Sequence, residues 1–273
     1  MRAGVDGVGR PLYAFVDQFS ELARILPSFQ AHPHAVMRRR CDAPMSEMLR
    51  DTGDGVIAAP RAIESRHRGR RELTWQPAAL ARDERWTAIS QSGATVLLTG
   101  LPASGKSTIA RALERRLVDA GQSAYVLDGD DIRHGLSDDL GFSPGDRAEH
   151  IRRVGHVALL MADSGTIALL SLISPLAQHR AHLRTVHDHA DLPFVEVFVD
   201  TPVDECERRD PKGLYARARA GQIKDFTGVD APYEPPEDPE LRVDTATTGV
   251  KQAVAQIIEI LRPGQRPRRR RPE

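Results

Sequence analysis

ATVLLTGLPASGKS, residues 94–107, is the stretch that decides the fold of this chain. Its first six residues form a mostly apolar run with the length of a buried strand. Gly100, Gly105, Lys106 and Ser107 then satisfy the spacing G-x-x-x-x-G-K-[S/T], and an amphipathic segment follows. A strand that enters such a loop, with a helix leaving it, predicts a phosphate-binding loop. The competing interpretation is a glycine turn beside an ordinary helix.

The chemistry of this loop follows from its backbone. Glycines let successive N–H groups converge on phosphate oxygens, and the next helix presents its positive end to them. Lys106 is expected to reach the β- and γ-phosphates, and Ser107 to hold Mg²⁺ between them. The sequence therefore predicts ATP and Mg²⁺ as ligands. The predicted nucleotide site comprises Gly100, Leu101, Pro102, Ala103, Ser104, Gly105, Lys106, Ser107 and Thr108.

Composition argues against several classes of protein. The 273 residues include 38 acidic and 38 basic side chains, a balance that disfavours a nonspecific nucleic-acid binder. No uninterrupted apolar stretch of the sequence is long enough to predict a membrane span. The two cysteines, Cys41 and Cys206, form neither a disulfide framework nor a metal-spaced set. We therefore expect a cytoplasmic protein with no nucleic-acid and no membrane partner.

The chain divides into three regions by its patterning. Residues 1–70 lack sustained periodicity and hold one short amphipathic candidate, 13–26, so the sequence specifies this extension poorly. Residues 71–262 carry the regular patterning of a catalytic domain. Residues 263–273 are rich in Arg and Pro and are expected to form a solvated, disordered tail, with a nucleic-acid-binding arm as the alternative.

From residue 94 onward, short apolar runs alternate with amphipathic segments. Strands are predicted at 94–99, 124–127, 166–172, 194–199 and 241–243, and helices at 106–120, 144–163, 175–187 and 248–261. Such alternation is typical of βα units around a parallel sheet that is covered on both faces. The predicted fold class is α/β, a three-layer α/β/α fold with a mostly parallel five-stranded sheet.

Carboxylates follow the second predicted strand directly, in DGDDIRHG, residues 128–135. Because ligands bind beyond the carboxyl ends of parallel strands, these side chains are expected to face the terminal phosphate. Asp130 is assigned as the residue that orients an acceptor hydroxyl and takes its proton. Asp128 is placed in the acceptor site too, although either Asp128 or Asp131 is expected to cap the following helix.

Arginines lie around the next predicted helix start. In GFSPGDRAEHIRR, residues 141–153, Ser143 and Pro144 resemble a capped helix start. This arrangement leaves Arg147, together with Arg133, free to bind an anionic acceptor such as a phosphate or sulfate. A solvated surface role is the alternative for each arginine.

Two further residue types are notable in loops. Phe142 and Phe226 occupy polar, glycine-bearing loops, where they either stack on a base or close the core. The chain has four lysines, and three of them, Lys106, Lys212 and Lys224, lie in segments that contain Gly or Pro. A compact ammonium group is therefore predicted to be required at these positions, where the fork of an arginine would fit differently.

These segments together resemble the adenylyl-sulfate kinase family of P-loop kinases. The chain contains, in that family's order and spacing, GLPASGKST, LDGDDIRHGL, GFSPGDRAEHIRR, SLISP, VFVDTP, RDPKGLYARARAG and IKDFTGVDAPYEPPE, within residues 73–261. The resemblance implies a P-loop kinase fold and transfer of the ATP γ-phosphate to the 3′-hydroxyl of adenylyl sulfate, in sulfate assimilation. The alternatives are a kinase for another small alcohol and a nucleotide-binding regulatory module that has lost turnover.

The resemblance also implies roles for individual residues. Asp130 would lie at the catalytic centre, Arg133 and Arg147 would bind the phosphosulfate, and Phe142 and Phe226 would sandwich the acceptor adenine. Lys212, Lys224, Asp128 and His150 complete the predicted acceptor site. His150 stands where the family commonly has Asn, which puts acceptor affinity in question.

The remaining assignments also rest on the resemblance. Ser174, in SLISP, corresponds to a serine described for some members as a phosphorylated intermediate, whereas direct in-line transfer needs no such residue. Arg209, Lys212 and the segment through Ala220 resemble a lid that closes over ATP and excludes water. We predict adenylyl sulfate as the small-molecule substrate, a homodimer, and an ATP sulfurylase as partner.

Overall fold

Residues 79–262 are described by the structure, a computed structural model of the chain. They form a five-stranded sheet in which all neighbouring strands run parallel. The strands are β1 (Ala94–Thr99), β2 (Ala124–Asp128), β3 (Ile167–Ser171), β4 (Phe194–Val199) and β5 (Leu241–Val243). Their order across the sheet is β2-β3-β1-β4-β5.

Helices cover both faces of this sheet. They are α1 (Arg82–Ile89), α2 (Lys106–Asp119), α3 (Gly129–Ile132), α4 (Pro144–Ser164), α5 (Ala177–His189), α6 (Val203–Arg209), α7 (Leu214–Arg219) and α8 (Val250–Leu261). The predicted three-layer α/β/α fold is confirmed, and β1, β4 and β5 have the predicted bounds. The four short helices α1, α3, α6 and α7 were not predicted, because segments of four to eight residues carry too little periodicity.

The central strand β1 contributes to two hydrophobic cores. Val96 and Leu98 pack with α2 and α8 on one face of the sheet, and Leu97 packs with α4 and α5 on the other. All six residues of β1 are buried, as expected for a strand covered on both faces. Each buried Leu or Val contributes roughly 1.5–3 kcal/mol, so the strand that leads into the phosphate loop is firmly anchored.

The register of the sheet aligns the residues that precede the loops of the site. Ser171 at the end of β3 pairs with Leu98 of β1 on one side and with Asp128 of β2 on the other. Strand β3 therefore lies between the phosphate loop and the carboxylates that follow β2. Sequence order places β2 directly after β1, so this insertion is not visible before the chain folds.

Helix α5 occupies residues 177–189, whereas 175–187 was predicted. Leu176, the N-cap of this helix, has φ −96° and ψ 130°, an extended conformation that a helix cannot contain. The carboxylate of Glu234 accepts a hydrogen bond of 2.6 Å from the N–H of Ala177 and caps the first turn. This cap comes from a residue 57 positions away, which explains the error in the predicted start.

Several predictions concern residues outside the described part of the chain. They are the extension 1–70 with its helical segment 13–26, the tail 263–273, and Cys41. These stay predictions, as does the domain that we assign to residues 71–262. Among the helices between residues 79 and 262, none has the length and apolar character needed to cross a bilayer.

Candidate active site

The phosphate loop has the backbone conformation that its glycines predict. Gly100 has φ 151° and Gly105 has φ 104°, both in the range that favours glycine. A Cβ at Gly100 would lie 2.4 Å from the carbonyl oxygen of Val199, so a side chain there would displace the loop from β4. Ala103, between them, has φ 59° and stores strain at the site. The loop then enters α2, whose first residue is Lys106.

The ammonium of Lys106 is held within the loop. It donates hydrogen bonds to the carbonyl of Leu101 at 2.7 Å and to Ser104 Oγ at 3.4 Å. Burial lowers the pKa of Lys106 from its ordinary value to about 8. The lysine is therefore positioned before any ligand binds, and an anionic ligand would favour its charged form.

The outer side of the loop is supported by Arg209 and by two threonines that the sequence did not indicate. The carbonyl oxygen of Ser104 lies 2.9 Å from Thr201 Oγ1 and 2.8 Å from Thr245 Oγ1. Arg209 donates to Thr245 Oγ1 at 2.7 Å and to the Thr245 carbonyl at 3.0 Å. Arg209, predicted as part of a lid over ATP, thus lies at the edge of the phosphate loop. There it lines the same cleft as Lys106 and Ser107.

Oxygen donors suited to Mg²⁺ lie beside the loop. The hydroxyl of Ser107 is 3.0 Å from the hydroxyl of Ser171, at the end of β3. Asp128, at the end of β2, is the register partner of Ser171. Hydroxyl and carboxylate oxygens are ligands that Mg²⁺ prefers, so the residues present fit the ion that the sequence predicts.

The two aspartates after β2 have different surroundings. Asp128 caps α3, since its Oδ1 accepts a hydrogen bond of 3.1 Å from the N–H of Asp130. This confirms one of the two caps that the sequence allowed. The carboxylate of Asp130 is exposed and pairs with the ammonium of Lys212, which precedes α7. This pair raises the pKa of Lys212 and joins the predicted base to the predicted lid.

Arg147 and Arg133 both contact the loop that carries Phe142. Arg147 donates from Nε to the Phe142 carbonyl at 2.8 Å and from Nη2 to the Asp225 carbonyl at 2.8 Å. Arg133 donates to the Gly141 carbonyl at 2.9 Å, and its guanidinium lies 4.5 Å from the centre of the Phe142 ring. Burial, and then repulsion by Arg147, lowers the pKa of Arg133. Two cations that repel each other in this way form a favourable site for an anion.

The two loop phenylalanines differ in burial. Phe142 is 66% exposed, which excludes the core-closing alternative for this residue. Phe226 is 9% exposed and meets the ring of Tyr215 edge-on, with the ring centres 5.0 Å apart. Phe226 thus closes a small core under its loop, which was one of the two roles that the sequence allowed. Its side of the loop also lines the cleft, so the other role, stacking on a base, stays open to it.

His150 and Ser174 are buried polar residues of the cleft. His150 is 5% exposed, and its Nδ1 has no hydrogen-bond partner among the described residues. Burial, and next the charge of Arg133, lowers the pKa of His150 to about 4, so its imidazole is neutral at neutral pH. The Ser174 hydroxyl is likewise buried without such a partner, and its carbonyl accepts a hydrogen bond of 2.8 Å from Arg180.

One cleft of about 970 Å³ joins these groups. Among the predicted residues, the following line it: Pro102, Ala103, Gly105, Lys106, Ser107, Thr108, Asp128, Asp130, Arg133, Phe142, Arg147, His150, Ser174, Arg209, Lys212, Lys224 and Phe226. Gly100, Leu101 and Ser104 are not among the residues that line it. Leu101 packs in the small core with Tyr215 and Phe226, and Ser104 is fully buried. These three residues shape the phosphate loop from within.

Comparison with known proteins decides the family. The family model described as adenylylsulphate kinase matches residues 92–244, more than half of the chain. The chain belongs to the adenylylsulphate kinase family. The predicted resemblance is therefore confirmed, and the family places the chain among the P-loop kinases.

Several members of this family are close relatives in sequence. The adenylyl-sulfate kinase of Staphylococcus carnosus is 49% identical over 189 residues, which are 69% of this chain and 94% of that protein. The adenylyl-sulfate kinase of Emericella nidulans is 52% identical over 190 residues, which are 67% and 92% of the two chains. The bifunctional enzyme CysN/CysC of Mycobacterium tuberculosis is 56% identical over 169 residues, and the chain spans 27% of its length.

Solved structures agree with this placement. The structure of the Mycobacterium tuberculosis APS kinase CysC in complex with AMPPNP and APS is 54% identical, with a TM-score of 0.61. The match covers 63% of this chain and 98% of that one. The crystal structure of APE1195 is 40% identical with a TM-score of 0.59, and the match covers 63% and 96% of the two chains.

The sequence did not reveal some of the residues that support the site of this adenylylsulphate kinase family member. Ser171 could have been found as the polar residue near the end of a predicted strand, on the edge where ligands bind. Thr201 and Thr245 lie two residues beyond the predicted strands 194–199 and 241–243, on the same edge, so the rule could have found their positions, although not their bonds to the Ser104 carbonyl. Their roles became visible once the loops were placed.

Proposed function

We propose that this chain transfers the γ-phosphoryl group of ATP to the 3′-hydroxyl of adenylyl sulfate, giving 3′-phosphoadenylyl sulfate and ADP. One observation carries the proposal: the phosphate loop with Lys106 and the carboxylate of Asp130 line the same cleft as two arginines and two phenylalanines. The similar structure from Mycobacterium tuberculosis is a complex with AMPPNP and APS. The reaction belongs to sulfate assimilation.

The nucleotide is bound by backbone groups and one lysine. The N–H groups of the phosphate loop and the positive end of α2 receive the β- and γ-phosphates. Lys106 exchanges its bond with the Leu101 carbonyl for the phosphate oxygens and stabilises the charge that develops during transfer. Ser107, with Ser171 beside it, would hold Mg²⁺, which supplies charge neutralisation between the phosphates.

The acceptor is bound on the other side of the cleft. Phe142 and Phe226 stack on its adenine, and Arg133 and Arg147 receive its phosphosulfate. The neutral imidazole of His150 lies near the end of β2, since its Nε2 is 3.7 Å from the point where a Cβ on Gly129 would be. A neutral imidazole at this position is compatible with adenylyl sulfate, whose negative charge lies on its phosphosulfate group.

The transfer step needs one proton acceptor. The bond from the γ-phosphorus to the leaving ADP oxygen breaks, and a bond from the acceptor 3′-oxygen to that phosphorus forms. The proton of the 3′-hydroxyl passes to the carboxylate of Asp130. Lys212 pairs with Asp130, and Arg209 binds Thr245 at the edge of the phosphate loop. Through these contacts the segment that precedes α7 closes the site against water. No covalent step through Ser174 is required.

Partners and location are also part of the proposal. We propose a cytoplasmic homodimer that receives adenylyl sulfate from an ATP sulfurylase and binds neither nucleic acid nor membrane. The balance of 38 acidic and 38 basic residues supports the last point. The extension 1–70 is proposed to be dispensable for the kinase reaction, because the family match begins at residue 92.

A coupled assay of ADP release tests the function. The purified full chain with Mg²⁺ and ATP should release ADP at a rate that depends on adenylyl sulfate. Adenosine 5′-phosphate, which lacks the sulfate, should be a much poorer acceptor. Dependence of the rate on a different small alcohol would support another kinase, and ATP binding without any turnover would support a regulatory module.

A further inference from the structure

The carboxylate of Asp230 holds the loop that carries Phe226, and the sequence motifs gave this residue no role. Asp230 accepts two backbone hydrogen bonds, from the N–H of Asp225 at 2.9 Å and from the N–H of Phe226 at 2.6 Å. The two bonds use different oxygens of the carboxylate, so its orientation is fixed. Hydrogen bonds to an ionised acceptor are roughly twice as strong as neutral ones.

The conformation of the loop depends on these bonds. Asp225 has φ 56°, in the left-handed region that costs an ordinary residue free energy. The Phe226 carbonyl also accepts bonds from the N–H groups of Val229, Asp230 and Ala231, which closes a tight turn. Asp230 thus offsets the strain at Asp225 and fixes the direction in which the Phe226 side chain leaves the backbone.

The same peptide segment is bound from the other side of the cleft. The Asp225 carbonyl accepts the hydrogen bond from Arg147 Nη2, and Arg147 Nε binds the Phe142 carbonyl. A continuous chain of contacts therefore runs from Asp230 through the backbone of Asp225 to Arg147 and on to Phe142. It joins the two phenylalanines that face the acceptor.

We infer that Asp230 is a positioning residue for acceptor binding, acting through the backbone of Asp225 and Phe226 on the spacing of the two phenylalanines. This inference rests on the proposed function. It assigns no chemical role to Asp230, whose carboxylate is turned to its own loop. Loss of Asp230 should weaken acceptor binding more than ATP binding, because its hydrogen bonds hold the backbone of Asp225 and Phe226, whereas Leu101 of the phosphate loop meets this region through apolar packing.

Steady-state kinetics of three variants test the inference. Asp230→Ala should raise the KM for adenylyl sulfate about tenfold or more, because small displacements of a binding group have large effects, with kcat and the KM for ATP within about threefold of wild type. Asp230→Asn keeps one acceptor oxygen and should give an intermediate KM. Asp119→Ala, which removes an exposed carboxylate paired with Arg115 away from the cleft, is the matched control.

A second background shows whether Asp230 acts through Phe226. In Phe226→Leu, whose aromatic ring is already lost, the further change Asp230→Ala should raise the KM for adenylyl sulfate much less than it does in wild type. Equal effects in both backgrounds, an unchanged KM in Asp230→Ala, or an equal rise in the KM for ATP would each overturn the inference. If the wild-type chain does not phosphorylate adenylyl sulfate at all, the proposed function fails first and the inference fails with it.

Discussion

The ammonium of Lys106 donates a 2.7 Å hydrogen bond to the carbonyl of Leu101, five residues earlier in the same loop. The lysine is therefore oriented by the loop whose ligand it is proposed to bind. Since burial lowers the pKa of Lys106 to about 8, its charge is costly to hold there and is best compensated by phosphate oxygens.

Lys106→Ala should reduce kcat about 10²- to 10³-fold, because the transferring phosphoryl group loses the cation that stabilises its charge. The measurement is ADP release at saturating ATP and adenylyl sulfate. Lys251→Ala removes an exposed lysine of α8 and should keep wild-type activity. A rate near wild type in Lys106→Ala would show that this loop does not bind the transferred phosphate.

Asp130→Asn should lower kcat about 10²-fold or more while leaving the KM for ATP within a few-fold of wild type, because the amide cannot take the acceptor proton. Pre-steady-state measurements of bound product would separate the chemical step from ADP release. As a control, Asp138→Asn changes an exposed carboxylate in the same region. An unchanged kcat in Asp130→Asn would move the proton acceptor to another residue.

The two phenylalanines should respond differently to truncation. Phe142→Ala removes a ring that is 66% exposed and should change the free energy of unfolding by less than about 0.5 kcal/mol. Phe226→Ala removes a buried ring packed on Tyr215 and should cost about 3 kcal/mol. Both should raise the KM for adenylyl sulfate about tenfold through lost stacking.

Urea unfolding of the two variants, together with acceptor kinetics, checks this pair. A large loss of stability in Phe142→Ala would mean that its ring packs in the fold. An unchanged acceptor KM in both variants would contradict the proposed sandwich of the adenine.

Acid should destabilise the chain through His150. Its pKa is lowered to about 4 in the folded protein, whereas the unfolded chain takes up this proton near pH 6.5. Between these values the unfolded state binds more protons, so the free energy of unfolding falls as the pH is lowered from about 6.5 to about 4. His150→Asn lacks this contribution and should lose less stability over that range.

Urea midpoints of wild type and His150→Asn at pH 7, 5.5 and 4.5 measure the difference. His189→Asn makes the same replacement at an exposed position and is the control. The buried His187, whose pKa is also lowered by burial, contributes equally to all three proteins. Parallel curves for wild type and His150→Asn would show that the His150 imidazole is not desolvated.

The sequence by itself determined the phosphate loop, the parallel α/β fold and most of the cleft. Glycine spacing and the alternation of apolar runs are local patterns. They can therefore be recognised in residues 94–107 from the sequence alone. Asp128 as a helix cap and Ser143 with Pro144 as a helix start were predictable for the same reason.

The tertiary structure alone decided how the site is held together. Ser107 meets Ser171 across 64 positions, Thr245 reaches the Ser104 carbonyl across 141, and Arg147 reaches the Asp225 carbonyl across 78. Each contact depends on one hydrogen-bonding group and on the order of strands in the sheet. A single group leaves no periodic pattern in the sequence. Such contacts therefore cannot be predicted from the sequence and are seen only in the folded structure.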